Sequence, residues 1–141
     1  MRDLPFRFGL SYTTFRYSDV SLSQPTGSDA DFSVTVSLNV TNTGSVAGSE
    51  VVQIYTSLPT TSTLTHPPRA LKAFSKVHIE PGVTTGVKLV LDKYAVSYWE
   101  ERIDRWVAEA GVYTAYVAAS SEDVRALVTF VISKEFEWVG L

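Results

Sequence analysis

The sequence predicts an all-β fold, an antiparallel β-sandwich of about seven short strands, on three observations. From Phe32 to Val40 apolar and polar residues alternate without a break, the mark of a strand with one face in a core and one in water. Short apolar runs recur along the chain between Pro, Gly and Asn turns, and no stretch sustains a 3.6-residue period. Seven Tyr, seven Phe and three Trp in 141 residues form an aromatic load that suits extended, half-buried backbone.

Taken in order, a first strand is expected near Tyr12 to Leu22. The second, Phe32 to Val40, puts Phe32, Val34, Val36, Leu38 and Val40 on one side and Ser33, Thr35, Ser37 and Asn39 on the other. It stops at Asn42-Thr43-Gly44, where Asn and Gly tolerate the positive φ of a bend. Val51, Val52, Ile54 and Tyr55 begin the next strand. Residues Thr56 to Arg69 hold three prolines and many hydroxyls, a composition that sustains neither ladder nor helix. They are expected to form a long exposed loop, the most mobile part of the chain.

Leu71, Phe74, Val77 and Ile79 then lead into a Pro81-Gly82 turn, after which Val87, Leu89 and Leu91 alternate with Gly86, Lys88 and Val90. Tyr94 to Trp106 reads as a bend with one helical turn. Gly111 to Ala119 and Ala126 to Ser133 form a closing pair across Ser120-Ser121-Glu122-Asp123. Tyr113, just after Ala110-Gly111, has the position of a tyrosine corner, a phenol bonded back to the backbone.

Twelve Lys plus Arg against 15 Asp plus Glu give a net charge of −3, so no basic field exists to recruit nucleic acid. No apolar run reaches the roughly 18 residues that span a bilayer, and the first residues lack a signal-peptide core. A soluble chain with no membrane partner is expected. The absence of cysteine removes disulfides, zinc thiolates and a Cys nucleophile from consideration, and leaves the compartment open.

Pro5 to Phe15 (PFRFGLSYTTF), Val40-Thr41-Asn42-Thr43-Gly44 with Ala47-Gly48, Glu50 to Tyr55, Leu71-Lys72-Ala73-Phe74, Ser97-Tyr98-Trp99 and Ala118 to Asp123 follow one another in an order that resembles the C-terminal domain of glycoside hydrolase family 3 enzymes. The resemblance implies a fibronectin type III-like, immunoglobulin-like sandwich at residues 12–133. It makes residues 1–11 a junction from an upstream catalytic region and residues 134–141 a C-terminal tail. Phe136 to Leu141 is similar to the terminus of fungal β-glucosidases, which implies that the parent's own C-terminus is included; a secreted parent is also expected. Arg7 departs from the family pattern, which usually has Gly there. The family's catalytic Asp belongs to an upstream Ser-Asp-Trp type motif that this sequence does not contain, so no catalytic residue carries over.

The residues themselves supply no replacement. Retaining glycoside hydrolysis uses two carboxyl groups about 5–5.5 Å apart, and the available pairs, Glu100 with Glu101 and Glu122 with Asp123, are sequence neighbours that read as solvated charge. His66 and His78 have no second ligand at metal spacing, so no metal and no cofactor are expected. Phe6, Phe8 and Tyr12 are the candidates for packing against the upstream domains. Tyr98, Trp99, Trp106, Tyr116 and Trp138 are candidates for sugar stacking if several share an exposed face, although core or interdomain packing is the commoner use of such aromatics. Asn39-Val40-Thr41 fits the N-glycosylation pattern with Asn39 on the outward side. The leading expectation is a non-catalytic accessory domain that stabilises the catalytic body of a β-glucosidase or β-xylosidase. The alternative is a module that binds a polysaccharide or another plant-wall polymer through exposed aromatics.

Overall fold

Strand β2 (Ser33–Asn42) organises the structure, a computed structural model that describes residues 13–23, 25, 32–57, 59 and 70–139. Every second residue of β2 is buried, because its apolar set can leave water only by turning to one side of a sheet. Antiparallel neighbours flank it on both edges: β1 (Phe15–Leu22) and β5 (Thr84–Asp92), giving the order β1-β2-β5. Val36 faces Leu89 and Val34 faces Leu91 across the second pairing.

The opposing layer is a four-stranded antiparallel sheet in the order β4-β3-β8-β9, from β3 (Gly48–Ser57), β4 (Ala70–Ile79), β8 (Gly111–Ser120) and β9 (Asp123–Ile132). Val52, Ile54, Ala115, Val117, Phe130 and Ile132 are buried and meet Val34, Val36, Leu38, Val40, Leu89 and Leu91 in one core. Each fully buried aliphatic or aromatic side chain contributes roughly 1.5–3 kcal/mol of transfer free energy. The two sheets together hold the seven strands expected from the sequence.

Three further short strands depart from that expectation. A single helical turn, α1 (Lys93–Val96), follows β5, and β6 (Tyr98–Glu100), β7 (Arg105–Ala108) and β10 (Phe136–Trp138) form a small sheet in the order β10-β7-β6. The bend expected over 94–106 is therefore a hairpin preceded by one turn of helix. Residues 136–138 of the expected tail pair with β7 and bury Phe136 and Trp138. Runs of three or four residues are too short for alternation to register; ring packing holds them instead.

Turn chemistry follows the sequence closely. Val83 N–H donates to Glu80 O across Pro81-Gly82, with Gly82 at φ +78°, the position of a tight turn that favours glycine. Thr56 and Ser57, expected in the loop, end β3, and the Thr56 hydroxyl donates to Ala95 O at 3.1 Å. Of the loop beyond them, residue 58 and residues 60–69 lie outside the described residues, as do Phe6, Phe8 and Tyr12.

Candidate interaction surfaces

The three tryptophans converge on the small sheet. Trp106 and Trp138 stack at 5.2 Å with planes 7° apart, Trp99 meets Trp106 edge-on at 5.6 Å, and Tyr94 meets Trp138 edge-on at 4.7 Å. The Lys93 ammonium lies 4.3 Å from the Trp138 ring centre. The Trp138 indole N–H donates to Ser97 Oγ at 3.0 Å, and that hydroxyl donates to Lys93 O at 2.6 Å, which ties β10 to the end of α1. Stacked and edge-on pairs each add roughly 0.5–1.5 kcal/mol. Trp138 is buried beneath Trp106, and Trp99 stands edge-on to Trp106, so the three indoles lie in different planes and not in one coplanar row.

Tyr98 is half-buried, its hydroxyl 3.4 Å from the Glu109 carboxylate; burial first, then Glu109 and Glu100, push its phenol up to about 12. Tyr116 sits apart on the outer side of the four-stranded sheet, opposite Tyr55 and Leu127. Its hydroxyl lies 3.4 Å from Ser57 Oγ.

One carboxylate of each neighbouring pair, Glu100 and Asp123, is held by an arginine. Arg102 donates to both oxygens of Glu100 at 2.9 and 3.0 Å, and Arg125 to both oxygens of Asp123 at 2.8 and 3.0 Å. These bonds hold both carboxyls below their ordinary range, the reverse of what a general acid needs. Glu50 is the exception: burial raises its carboxyl although Tyr17 donates to it at 2.8 Å. The Arg125 guanidinium covers the Tyr17 ring at 4.8 Å, so β1, β3 and β9 meet there in a mixed ionic and aromatic contact. His78 is exposed beside Ser49 and Glu80, and no group of three or more metal-ligating side chains occurs among the described residues. His66 lies outside them.

Tyr113 and Asn42 also have interior roles. Tyr113 is fully buried and donates to Glu109 O at 2.7 Å and to Val96 O at 3.2 Å, the corner anticipated from its position. Asn42, read in the sequence as a bend residue, occupies the last inward position of β2 and is fully buried. Its amide N–H groups donate to Val46 O and Ile79 O, both at 2.9 Å, and its oxygen accepts from Thr13 Oγ1 and from Gly44 N–H. Asn39 lies on the outward side of β2 and donates to Asp19 at 3.0 Å. Asp19, at φ 54°, sits where the β1–β2 register shifts.

Two antiparallel sheets around one core, fastened by a tyrosine corner, define an immunoglobulin-like β-sandwich. The model of the fibronectin type III-like domain family matches residues 50–121, 72 of the 141. The chain belongs to that family. It is 42% identical to a probable β-glucosidase I of Aspergillus fumigatus over 97% of this chain and 17% of that protein. A crystal structure of β-glucosidase from Kluyveromyces marxianus superposes with a TM-score of 0.80 at 40% identity, covering 94% of this chain and 16% of the other. The GH3 β-glucosidase of Bifidobacterium adolescentis gives 0.79 at 36% identity, covering 92% and 18%. The chain thus spans between 16% and 18% of the length of these relatives.

Proposed function

We propose that this domain is a non-catalytic part of a longer β-glucosidase and that its work is to pack on the catalytic body and stabilise it. The observation that carries the reading is the coverage: nearly all of this chain aligns with a sixth or so of proteins named β-glucosidases. The arginine-held carboxylates support it, since Glu100 and Asp123 are tied to neighbours in sequence and shifted away from acid catalysis. A secreted parent accords with this reading, and a glycan at Asn39 would then replace the bond to Asp19. Expression through a secretory host followed by endoglycosidase treatment tests that modification, with a mobility shift lost in Asn39→Gln. The polymer-binding alternative has no comparable support, because the Trp99, Trp106 and Trp138 rings pack on one another in different planes.

The purified chain is expected to release no aglycone from aryl β-glucosides or β-xylosides above the buffer blank. Turnover that copurifies with the chain and disappears in Glu100→Gln or Asp123→Asn would contradict the reading.

A further inference from the structure

The two outer faces of the sandwich differ in chemistry. On the three-stranded sheet, β2 turns Ser33, Thr35, Ser37, Asn39 and Thr41 outward, and β5 adds Gly86 and Lys88 with Val90 as the apolar exception. That is an ordinary solvated face. On the four-stranded sheet, Leu71, Tyr55, Tyr116 and Leu127 stand opposite one another in a single row across β4, β3, β8 and β9. Phe74 projects from β4 beside this row, opposite Gln53, and Val112 faces Val131 across β8 and β9. Phe74 is 68% exposed, Leu127 60%, Val131 56%, Val112 55% and Leu71 47%.

The row is also held in place. The Tyr55 hydroxyl donates to Gln53 Oε1 at 2.6 Å, Gln53 donates to Ala119 O at 3.3 Å, and the Tyr116 hydroxyl pairs with Ser57. Both phenols are thereby fixed along the sheet, so docking against them orders little that is not already ordered. Thr114 opposite Thr129 sets the Val112–Val131 pair off from the row, and apolar patches of a few hundred Å² or more on soluble domains often mark interaction sites.

We propose that this outer face of β4-β3-β8-β9 is the surface that docks on the remainder of the parent polypeptide, an inference that rests on the accessory-domain reading above. Size favours a tethered partner over a second copy. At about 4.8 Å between strands and 3.4 Å per residue the face measures on the order of 400 Å², or roughly 800 Å² over two partners. Interfaces between domains of one chain bury about 600–1,500 Å², whereas independent proteins use about 1,200–2,000 Å². A covalent tether supplies an effective concentration of roughly millimolar, which offsets the modest area. The relatives are about six times longer than this chain, so most of such a parent lies outside it.

The chain has no cysteine, so a single introduced thiol reports one position. Leu127→Cys and, on the polar face, Val90→Cys are exposed in the 141-residue chain and are expected to react with a maleimide at similar rates there. In the full-length parent, peptide mapping is expected to show Leu127→Cys slowed at least tenfold and Val90→Cys unchanged. Equal reactivity of Leu127→Cys in both proteins overturns the docking face. Protection of Val90→Cys alone overturns it while leaving the accessory reading intact, because the domain then packs through its other sheet. Free reactivity of both thiols in the parent overturns the face, and it overturns the packed accessory role as well if the domain also melts in the parent at the temperature of the isolated chain. Protection of Leu127→Cys already in the isolated chain, with a dimer in sedimentation, identifies a second copy as the occupant and equally overturns the proposal.

Discussion

Asn42 shows how much one polar side chain can organise when all its hydrogen-bonding capacity is used. Its four side-chain bonds join the end of β2, the bend after it, the end of β4 and Thr13. Asn42→Ala leaves the buried Ile79 O and the part-buried Val46 O without their donor and is expected to cost about 3 kcal/mol in urea denaturation. An unchanged midpoint would show that water replaces the amide at no cost. Val36→Asp puts an unpaired charge at a fully buried position and is expected to prevent folding or cost more than about 4 kcal/mol. The sequence made Val36 and Tyr113 legible through strand phase and motif position. It hid Asn42, because an Asn before Thr-Gly reads the same whether its amide turns outward or fastens the interior.

Glu50 gives a pH signature. Burial raises its carboxyl above the ordinary range, with Tyr17 and Arg125 pulling it partly back and Asp123 adding to the rise. A carboxyl whose folded pKa lies above its unfolded one binds its proton more tightly in the folded state. Its charge therefore costs stability at neutral pH, and that cost fades as pH falls through the folded and then the unfolded value. Glu50→Gln keeps an acceptor for Tyr17 without the charge. The variant's Tm is expected to exceed the parent domain's at about pH 7, with the gap closing towards about pH 4. A gap that is absent, or independent of pH, contradicts the assignment.

At the scale of elements, the strands that alternate over eight or more residues were readable and those of three or four were not. β6, β7 and β10 exist because Trp99, Trp106, Trp138 and Tyr94 pack on one another, and long-range ring contacts leave no periodic trace. Trp138→Ala removes a buried ring, its bond to Ser97 and its stack on Trp106. The expected cost is about 3–5 kcal/mol, with a red shift in the fluorescence of Trp99 and Trp106 as the small sheet opens. A blue emission maximum retained in the variant would place that sheet's stability elsewhere. Turns were more legible: Pro81-Gly82 named its own geometry, and Gly82→Ala is expected to cost about 1 kcal/mol because a Cβ disfavours φ +78°.

For the whole molecule, the contrast between outer faces was partly present in the letters. Ser33, Thr35, Ser37 and Asn39 declare a solvated side within one strand. Leu71, Phe74, Tyr55, Tyr116 and Leu127 come from four strands, and only the register places them on one surface. The sequence expectation of interdomain packing rests on Phe6, Phe8 and Tyr12, which lie outside the described residues, whereas the apolar row is a second candidate surface for the same work. A domain that stabilises its parent by packing must itself be stabilised in return, because the coupling free energy between the two is shared. Calorimetry of the isolated chain and of the full-length parent measures that coupling directly. The account predicts that the transition of this domain moves up in the parent and merges with that of the catalytic body; a separate transition at the same temperature as the isolated chain would contradict it.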